Sequence, residues 1–228
     1  MEGSDFADLL IGTVGDDYLQ GLGGDDTLMG DAGNDSLGGG GGDDAVLGAA
    51  GADVLFGFTG NDVLEGGPGA DNMSPGPGVD TLSYQLSFSP PGVTVNLLAQ
   101  SFSGGDAAGD TPGFLPGPFE NVEGSPYDDV LVGSNLANVI RGGGGVDSIS
   151  ALNGNDTLYG SDGDDNLFGG LGSDGLYGEA HDDELFGGPG VDLMFGGDGN
   201  DYLDGGSNGW GLFDFCFQGL GTGTVINC

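Results

Sequence analysis

A nine-residue phrase of the form Gly-x-x-Gly-x-Asp-x-Leu-x starts at Gly3 and recurs at constant spacing for nine copies, closing at Ser83. From Gly124 it recurs for nine more, closing at Asp204. The third copy, Gly21-Leu22-Gly23-Gly24-Asp25-Asp26-Thr27-Leu28-Met29, shows the pattern. A period this short cannot enclose a core within one copy. The copies must therefore stack and bury their apolar residues against one another, as in a solenoid.

The phrase is constrained where a stacked turn and strand would constrain it. The sixth position is acidic in seventeen of eighteen copies: Asp8, Asp17, Asp26, Asp35, Asp44, Asp53, Asp62, Asp71 and Asp80, then Asp129, Asp147, Asp156, Asp165, Asp174, Asp183, Asp192 and Asp201. Asn138 alone departs, keeping an oxygen and losing the charge. The eighth position is aliphatic or Met throughout, from Leu10 to Leu203; the first is Gly in sixteen copies and the fourth in fourteen. Glycine supplies the positive φ and close backbone approach of a tight turn. The last three positions then read as a short strand with the eighth residue inward. Two copies make one coil with a turn on each side. Nine coils at about 4.8 Å each give a rod about 40 Å long with a thin aliphatic core.

Charge decides what else such a stack needs. The formal net charge is −36, with no Lys and only Arg141 as a permanent side-chain cation. Stacking brings sixth-position carboxylates of successive same-side turns within a few ångströms, where uncompensated charges repel. Carboxylates together with main-chain carbonyls freed by Gly turns form an oxygen-only donor set, which suits a hard divalent cation and favours Ca2+ over Mg2+. All the aspartates named above except Asp8 are candidate ligands. With one ion between copies two apart, each block offers about seven sites. About fourteen Ca2+ would bring the net charge to about −8, tolerable for a soluble domain.

The phrase resembles the nonapeptide of the repeats-in-toxin (RTX) proteins, the haemolysin-type calcium-binding repeat. Gly57-Phe58-Thr59-Gly60-Asn61-Asp62-Val63-Leu64-Glu65 and Gly196-Gly197-Asp198-Gly199-Asn200-Asp201-Tyr202-Leu203-Asp204 are close matches. The resemblance implies an all-β, right-handed parallel β-roll whose turns bind Ca2+ through the sixth-position Asp and turn carbonyls. It also implies a bacterial, exported protein that stays disordered until it meets extracellular calcium.

Four segments follow from the pattern: a first block at 3–83, an insertion at 84–123, a second block at 124–204 and a cap at 205–228. In the insertion, Gly92-Val93-Thr94-Val95-Asn96-Leu97 alternates like a strand with one buried face, and Pro112, Pro116 and Pro118 stiffen its exit. It reads as a connection extending the sheets; the alternative is an extra cation site at Asp106 and Asp110. Both blocks open alike, with Phe6 and Tyr127 in place of the turn Gly, so the first turn of each is expected to hold less calcium. In the tail, Trp210, Phe213, Phe215 and Phe217 read as an aromatic plug for an open solenoid end. Cys216 and Cys228 form a disulfide that ties this cap in an exported protein; free thiols or pairing with another chain are the alternatives.

Catalytic chemistry is nearly absent from the sequence. His181 is the only histidine and occupies a turn position where Gly is usual, and Gly205-Gly206-Ser207-Asn208-Gly209 lacks the strand and helix of a nucleophile elbow. The charge excludes nucleic acid as a partner. No apolar run approaches membrane-spanning length. No N-terminal export signal precedes Gly3, so the chain reads as a mature or excised portion of something larger. Ninth positions Tyr159, Tyr177 and Phe195 fall on one sheet, Phe168 and Phe186 on the other. They read as cross-strand stacks, or as apolar stripes for homo-assembly or cell-surface contact. Two functions remain: a calcium-folded, non-catalytic module of a secreted protein, or a self-assembling filament, surface-layer or adhesin subunit.

Overall fold

The computed structural model describes residues 1–113, 117–207 and 213–228. The chain is an all-β parallel β-roll, and the 3-10 turn Gly105–Ala107 is the one helical element among the described residues. It divides into two compact units, residues 1–94 with 99–121 and residues 95–98 with 122–228.

In the first unit, odd copies build one sheet from Leu9–Ile11, Thr27–Ala32, Ala45–Ala50, Val63–Glu65 and Thr81–Ser83. Even copies build the other from Tyr18–Gly23, Ser36–Gly41, Val54–Thr59 and Asn72–Ser74. Pairing is parallel and each residue meets its equivalent eighteen positions on, as in Leu10↔Leu28, Leu28↔Val46 and Val46↔Leu64. The eighth-position side chains from Leu19 to Leu82 are completely buried. The period of nine thus works as a period of eighteen per coil, with one aliphatic residue delivered inward from each sheet.

Many strands are longer than the three residues the pattern suggests. Tyr18–Gly23 pairs with Ser36–Gly41 at Tyr18, Leu19 and Gln20, skips Gly21, and resumes at Leu22↔Gly40 and Gly23↔Gly41. The second-position residue rejoins the ladder in the left-handed region, with φ of 82° at Leu22, 75° at Phe58 and 79° at Leu152. Leucine and phenylalanine meet a steric cost there that glycine avoids. The ladder bonds on either side hold them in place.

The insertion extends the roll rather than standing apart from it. Thr111–Pro112 pairs with Asn72–Met73, and the backbone N–H of Asp71 donates to Asp110 Oδ1 at 2.9 Å. The N–H of Asp80 donates likewise to Glu120 Oε2 at 2.8 Å. These two acids do for Asp71 and Asp80 what a sixth-position Asp does elsewhere. Tyr84 and Phe119 fill the interior here, almost wholly buried. Asp110 Oδ2 accepts the Tyr84 hydroxyl at 3.0 Å, and Asp106 Oδ2 accepts Ser87 Oγ at 2.7 Å, so both carboxylates of the alternative cation site have protein partners.

In the second unit, Val139–Gly144, Thr157–Asp162, Gly175–Ala180 and Leu193–Asp198 form one sheet. Val130–Val132, Ser148–Ser150, Asn166–Phe168, Glu184–Phe186 and Tyr202–Asp204 form the other. The tail adds one more coil, with Phe215–Leu220 on Leu193–Asp198 and Thr224–Ile226 on Tyr202–Asp204. This corrects the expected plug. Phe213, Phe215 and Phe217 are 71%, 58% and 50% exposed, because strand alternation turns Phe215 and Phe217 outward and brings Cys216 into register with Met194. Trp210 lies outside the described residues. Cys216 and Cys228 are joined by a disulfide.

The ninth-position rings stack as the spacing suggests. Tyr159, Tyr177, Phe195 and Phe217 form a ladder with centroids 5.0, 5.3 and 4.8 Å apart, and the Arg141 guanidinium lies 4.6 Å from the Tyr159 ring. Phe168 and Phe186 stack at 4.9 Å on the other sheet.

Candidate metal centre

Each sixth-position Asp is fixed by the turn it sits in. Where a sixth-position residue stands one coil earlier, the Asp Oδ1 accepts its backbone N–H: Asp8 N–H to Asp26 at 2.8 Å, Asp26 to Asp44 at 2.8 Å, Asp147 to Asp165 at 2.8 Å. The carboxylates are thereby turned inward, and from Asp26 onward all the candidate ligands are 2% exposed or less.

The second oxygen is left over. Among the described residues, Oδ2 is buried without a hydrogen-bond partner in Asp26, Asp35, Asp44, Asp53, Asp62, Asp71 and Asp80, and in Asp147, Asp156, Asp165, Asp174, Asp183, Asp192 and Asp201. A buried acceptor with no donor costs free energy, and a buried carboxylate costs more. In the turns of Asp26, Asp35, Asp53, Asp62, Asp147, Asp165, Asp174 and Asp183, the first-position glycine faces both this oxygen and a main-chain carbonyl oxygen. A Cβ added to Gly21 would collide with Asp26 Oδ2 and approach the Gly39 carbonyl oxygen; Gly160 stands in the same way to Asp165 Oδ2 and the Gly178 carbonyl. That crowding accounts for glycine at the first position of these turns, since a side chain there would fill the space between carboxylate and carbonyl.

Burial pushes these acids up: Asp44 and Asp62 to about 6, Asp71 and Asp183 to about 7, Asp147 to about 8. The amide donated to Oδ1 opposes the rise, and neighbouring carboxylates add to it. Among the described residues no three acidic, histidine or cysteine side chains converge on one point. A cation here would take single carboxylates and the carbonyls beside them. Oxygen-only donors, orphaned negative oxygens and no nearby lysine fit a hard divalent ion.

Asp17 and Asp129, of the same predicted set, are placed differently. Thr13 donates its N–H to Asp17 Oδ2 at 2.6 Å and its hydroxyl at 2.9 Å. Those bonds hold the Asp17 carboxyl below its ordinary range. Ser125 donates its N–H to Asp129 Oδ2 at 2.6 Å and its hydroxyl to Oδ1 at 2.8 Å. Ser4 does the same for Asp8, and Ser134 for Asn138. In the regular turns the second residue instead spends its N–H on the next coil, as Phe58 does on the Pro75 carbonyl at 2.9 Å. In the first two turns of each block, Ser4, Thr13, Ser125 and Ser134 therefore supply the donors that the other turns lack, whereas Ser161 lies in the sheet ladder and Asp165 Oδ2 stays orphaned. The uncharged Asn138 stands in such a turn, where no carboxylate is required.

Two features escaped the sequence reading. Fifth-position side chains form an outer ladder: Asp25 accepts the N–H of Asp43 at 3.0 Å, and Asp43 that of Asn61 at 2.7 Å. Asp or Asn at alternate fifth positions was the available signal. The other is Asp214, 5% exposed, whose Oδ1 accepts the Asp192 N–H at 2.8 Å and whose Oδ2 is orphaned like those above. His181 holds a φ of 82° at an exposed turn, with Nε2 3.9 Å from Asp162. Among the described residues no helix is long and apolar enough to cross a membrane.

No curated protein matches the chain. The family described as RTX calcium-binding nonapeptide repeat (4 copies) matches residues 2–37, 38–73, 48–82, 123–158, 141–176 and 177–208. With most of both repeat blocks inside those matches, and with orphaned carboxylates repeated turn after turn, the chain belongs to the RTX calcium-binding nonapeptide repeat family.

Proposed function

We propose that this chain is a calcium-folded β-roll, a non-catalytic module of a secreted bacterial protein, which orders when calcium fills its turns. One observation carries the reading: the buried, donorless Oδ2 atoms, seven among the candidate ligands of each block. Their number equals the seven ions per block expected from one ion between copies two apart. The ligands would be the fourteen aspartates with orphaned Oδ2 named above, together with turn carbonyls such as those of Gly39 and Gly178. When bound, the ion supplies positive charge that lets stacked carboxylates remain ionised. Calcium titration followed by far-ultraviolet circular dichroism and equilibrium dialysis tests this: β-signal and bound calcium should rise together, with about fourteen ions at saturation. A calcium-free protein with the full β-signal at neutral pH would overturn it.

A second reading, self-assembly of calcium-loaded rolls into an extracellular structure, is favoured by the apolar surface of the last coil. Phe213, Phe215, Phe217 and Leu220 are each at least half exposed there. Light scattering across protein concentration in millimolar calcium decides it, and a mass that stays monomeric ends it.

A further inference from the structure

The tail beyond Asp204 continues the roll in disguise. Gly205 and Gly206 stand as first and second positions, with Gly206 at a φ of 92°. Further along the sequence, Asp214-Phe215-Cys216-Phe217 takes up the sixth to ninth positions in register with Asp192-Leu193-Met194-Phe195. Gly205 is related to Asp214 as Gly21 is to Asp26: a Cβ on it would collide with Asp214 Oδ2 and crowd the carbonyl oxygen of Asn227. Asp214 is 5% exposed, and its Oδ2 has no donor among the described residues. Asn227 is held by its own contacts, with its side-chain amide donating to Asp204 Oδ1 at 2.7 Å. Asn227 also adopts a positive φ of 52°, and the preceding Ile226 carbonyl takes the Gly205 N–H at 3.2 Å.

The coil ends by reversing the side-chain pattern. Gln218 stands at a first position and Gly223 at the sixth. Gln218 Nε2 donates to the Asp201 carbonyl at 2.8 Å, in the space an Asp at 223 would use. Among the described residues of this coil, then, only Asp214 presents an orphaned carboxylate oxygen.

We propose that Asp214 and the Asn227 carbonyl form a further calcium site outside the nonapeptide array, coupled to the Cys216–Cys228 disulfide. The disulfide ties the residue two after Asp214 to the residue next after Asn227, so it holds both oxygen donors in reach of one ion. An ion held between the two segments in turn favours the closed disulfide over the two thiols, whose chain ends are free to part. The effects are reciprocal by linkage: what the disulfide adds to calcium affinity, calcium adds to resistance against reduction. This inference rests on the calcium reading above.

The test compares the whole chain with Asp214→Asn and Asp165→Asn in calcium. Asn keeps the oxygen that accepts the Asp192 N–H, so the coil retains that bond. Equilibrium dialysis counts the ions. Alkylation and mass measurement follow reduction by dithiothreitol, in which the S–S bond becomes two thiols and the reagent its cyclic disulfide. Asp214→Asn should bind one ion fewer. Its reduction equilibrium should be indifferent to calcium once the array is filled. For the unsubstituted chain, the ratio of reduced to oxidised dithiothreitol that half-reduces the disulfide should rise with calcium, by about 100-fold when calcium is about 100 times the Kd of the site and the dithiol form binds no ion there. Asp165→Asn should lose an ion and leave that equilibrium unchanged. If Asp165→Asn loses an ion, Asp214→Asn loses none and their reduction equilibria respond alike to calcium, the terminal site is refuted while the array stands. If no variant and not the parent chain binds calcium, the array reading falls and this one with it.

Discussion

Removing calcium from this chain at neutral pH should unfold it, and acid should restore much of what calcium supplied. Fifteen carboxylate oxygens are buried without donors among the described residues. A buried polar group without a partner costs about 1–3 kcal/mol. At only about 1 kcal/mol each the set costs roughly 15 kcal/mol, as large as the whole net stability of an ordinary domain. A core one aliphatic layer thick has no such reserve. Protonation neutralises the same carboxylates. Burial raises the folded pKa of Asp44 and Asp62 to about 6, of Asp71 and Asp183 to about 7 and of Asp147 to about 8. A group whose folded pKa is raised contributes stability that is complete below its unfolded pKa and lost as pH climbs through the folded value. The calcium-free roll should therefore be most stable near pH 4 and lose stability progressively up to about pH 8. The assay is far-ultraviolet circular dichroism on protein stripped of calcium on a chelating resin, followed from pH 5 to pH 8.5. Unchanged β-signal at pH 8.5, or loss of structure on the acid side alone, would refute the argument that buried carboxylates set the calcium requirement.

Three further outcomes follow from particular turns. Asp165→Ala should lose a bound ion and raise the calcium midpoint of folding, whereas Asp129→Ala, whose carboxylate already has Ser125 as donor, should keep the ion count in the same dialysis experiment. Gly160→Ala should cost about 1–3 kcal/mol by overpacking and weaken calcium binding, because its methyl group would enter the space between Asp165 Oδ2 and the Gly178 carbonyl; denaturant midpoints in saturating calcium measure it. Tyr177→Ser breaks two ring stacks, at 5.0 and 5.3 Å, and should lower stability by about 1–3 kcal/mol in thermal melts without changing the number of ions bound.

How much of this could be read from the chain depends on whether the information sits at one position or between two. The inward aliphatic, the sixth-position acid and the first-position glycine each show in a single column of the repeat, and the structure places Leu28, Asp26 and Gly21 accordingly. The ninth-position ladder was legible for the same reason. Whether a given carboxylate lacks a donor is a relation between the sixth and second positions. Asp17 and Asp26 look alike in their column, and only the Thr13 bonds separate them. The strand extension through Leu22 was hidden because its φ of 82° is a conformation that leucine disfavours, and the ladder to Gly40 imposes it.

The tail was illegible for a different reason. Residues between Ser207 and Asp214 break the count of nine, and a reader of periods stops there. The physics does not require the period, only that an acid arrive opposite the Asp192 amide and an outward–inward–outward triplet follow it. Asp214-Phe215-Cys216-Phe217 meets both conditions although the spacing from Asp192 is 22 residues instead of eighteen. The insertion obeys the same rule when Asp110 and Glu120 arrive opposite Asp71 and Asp80 across 39 and 40 residues instead of eighteen. A search of such chains for acids that fall opposite the last regular amide, with the spacing left free, would find coils that nonapeptide counting misses. In this chain it finds the carboxylate next to the disulfide.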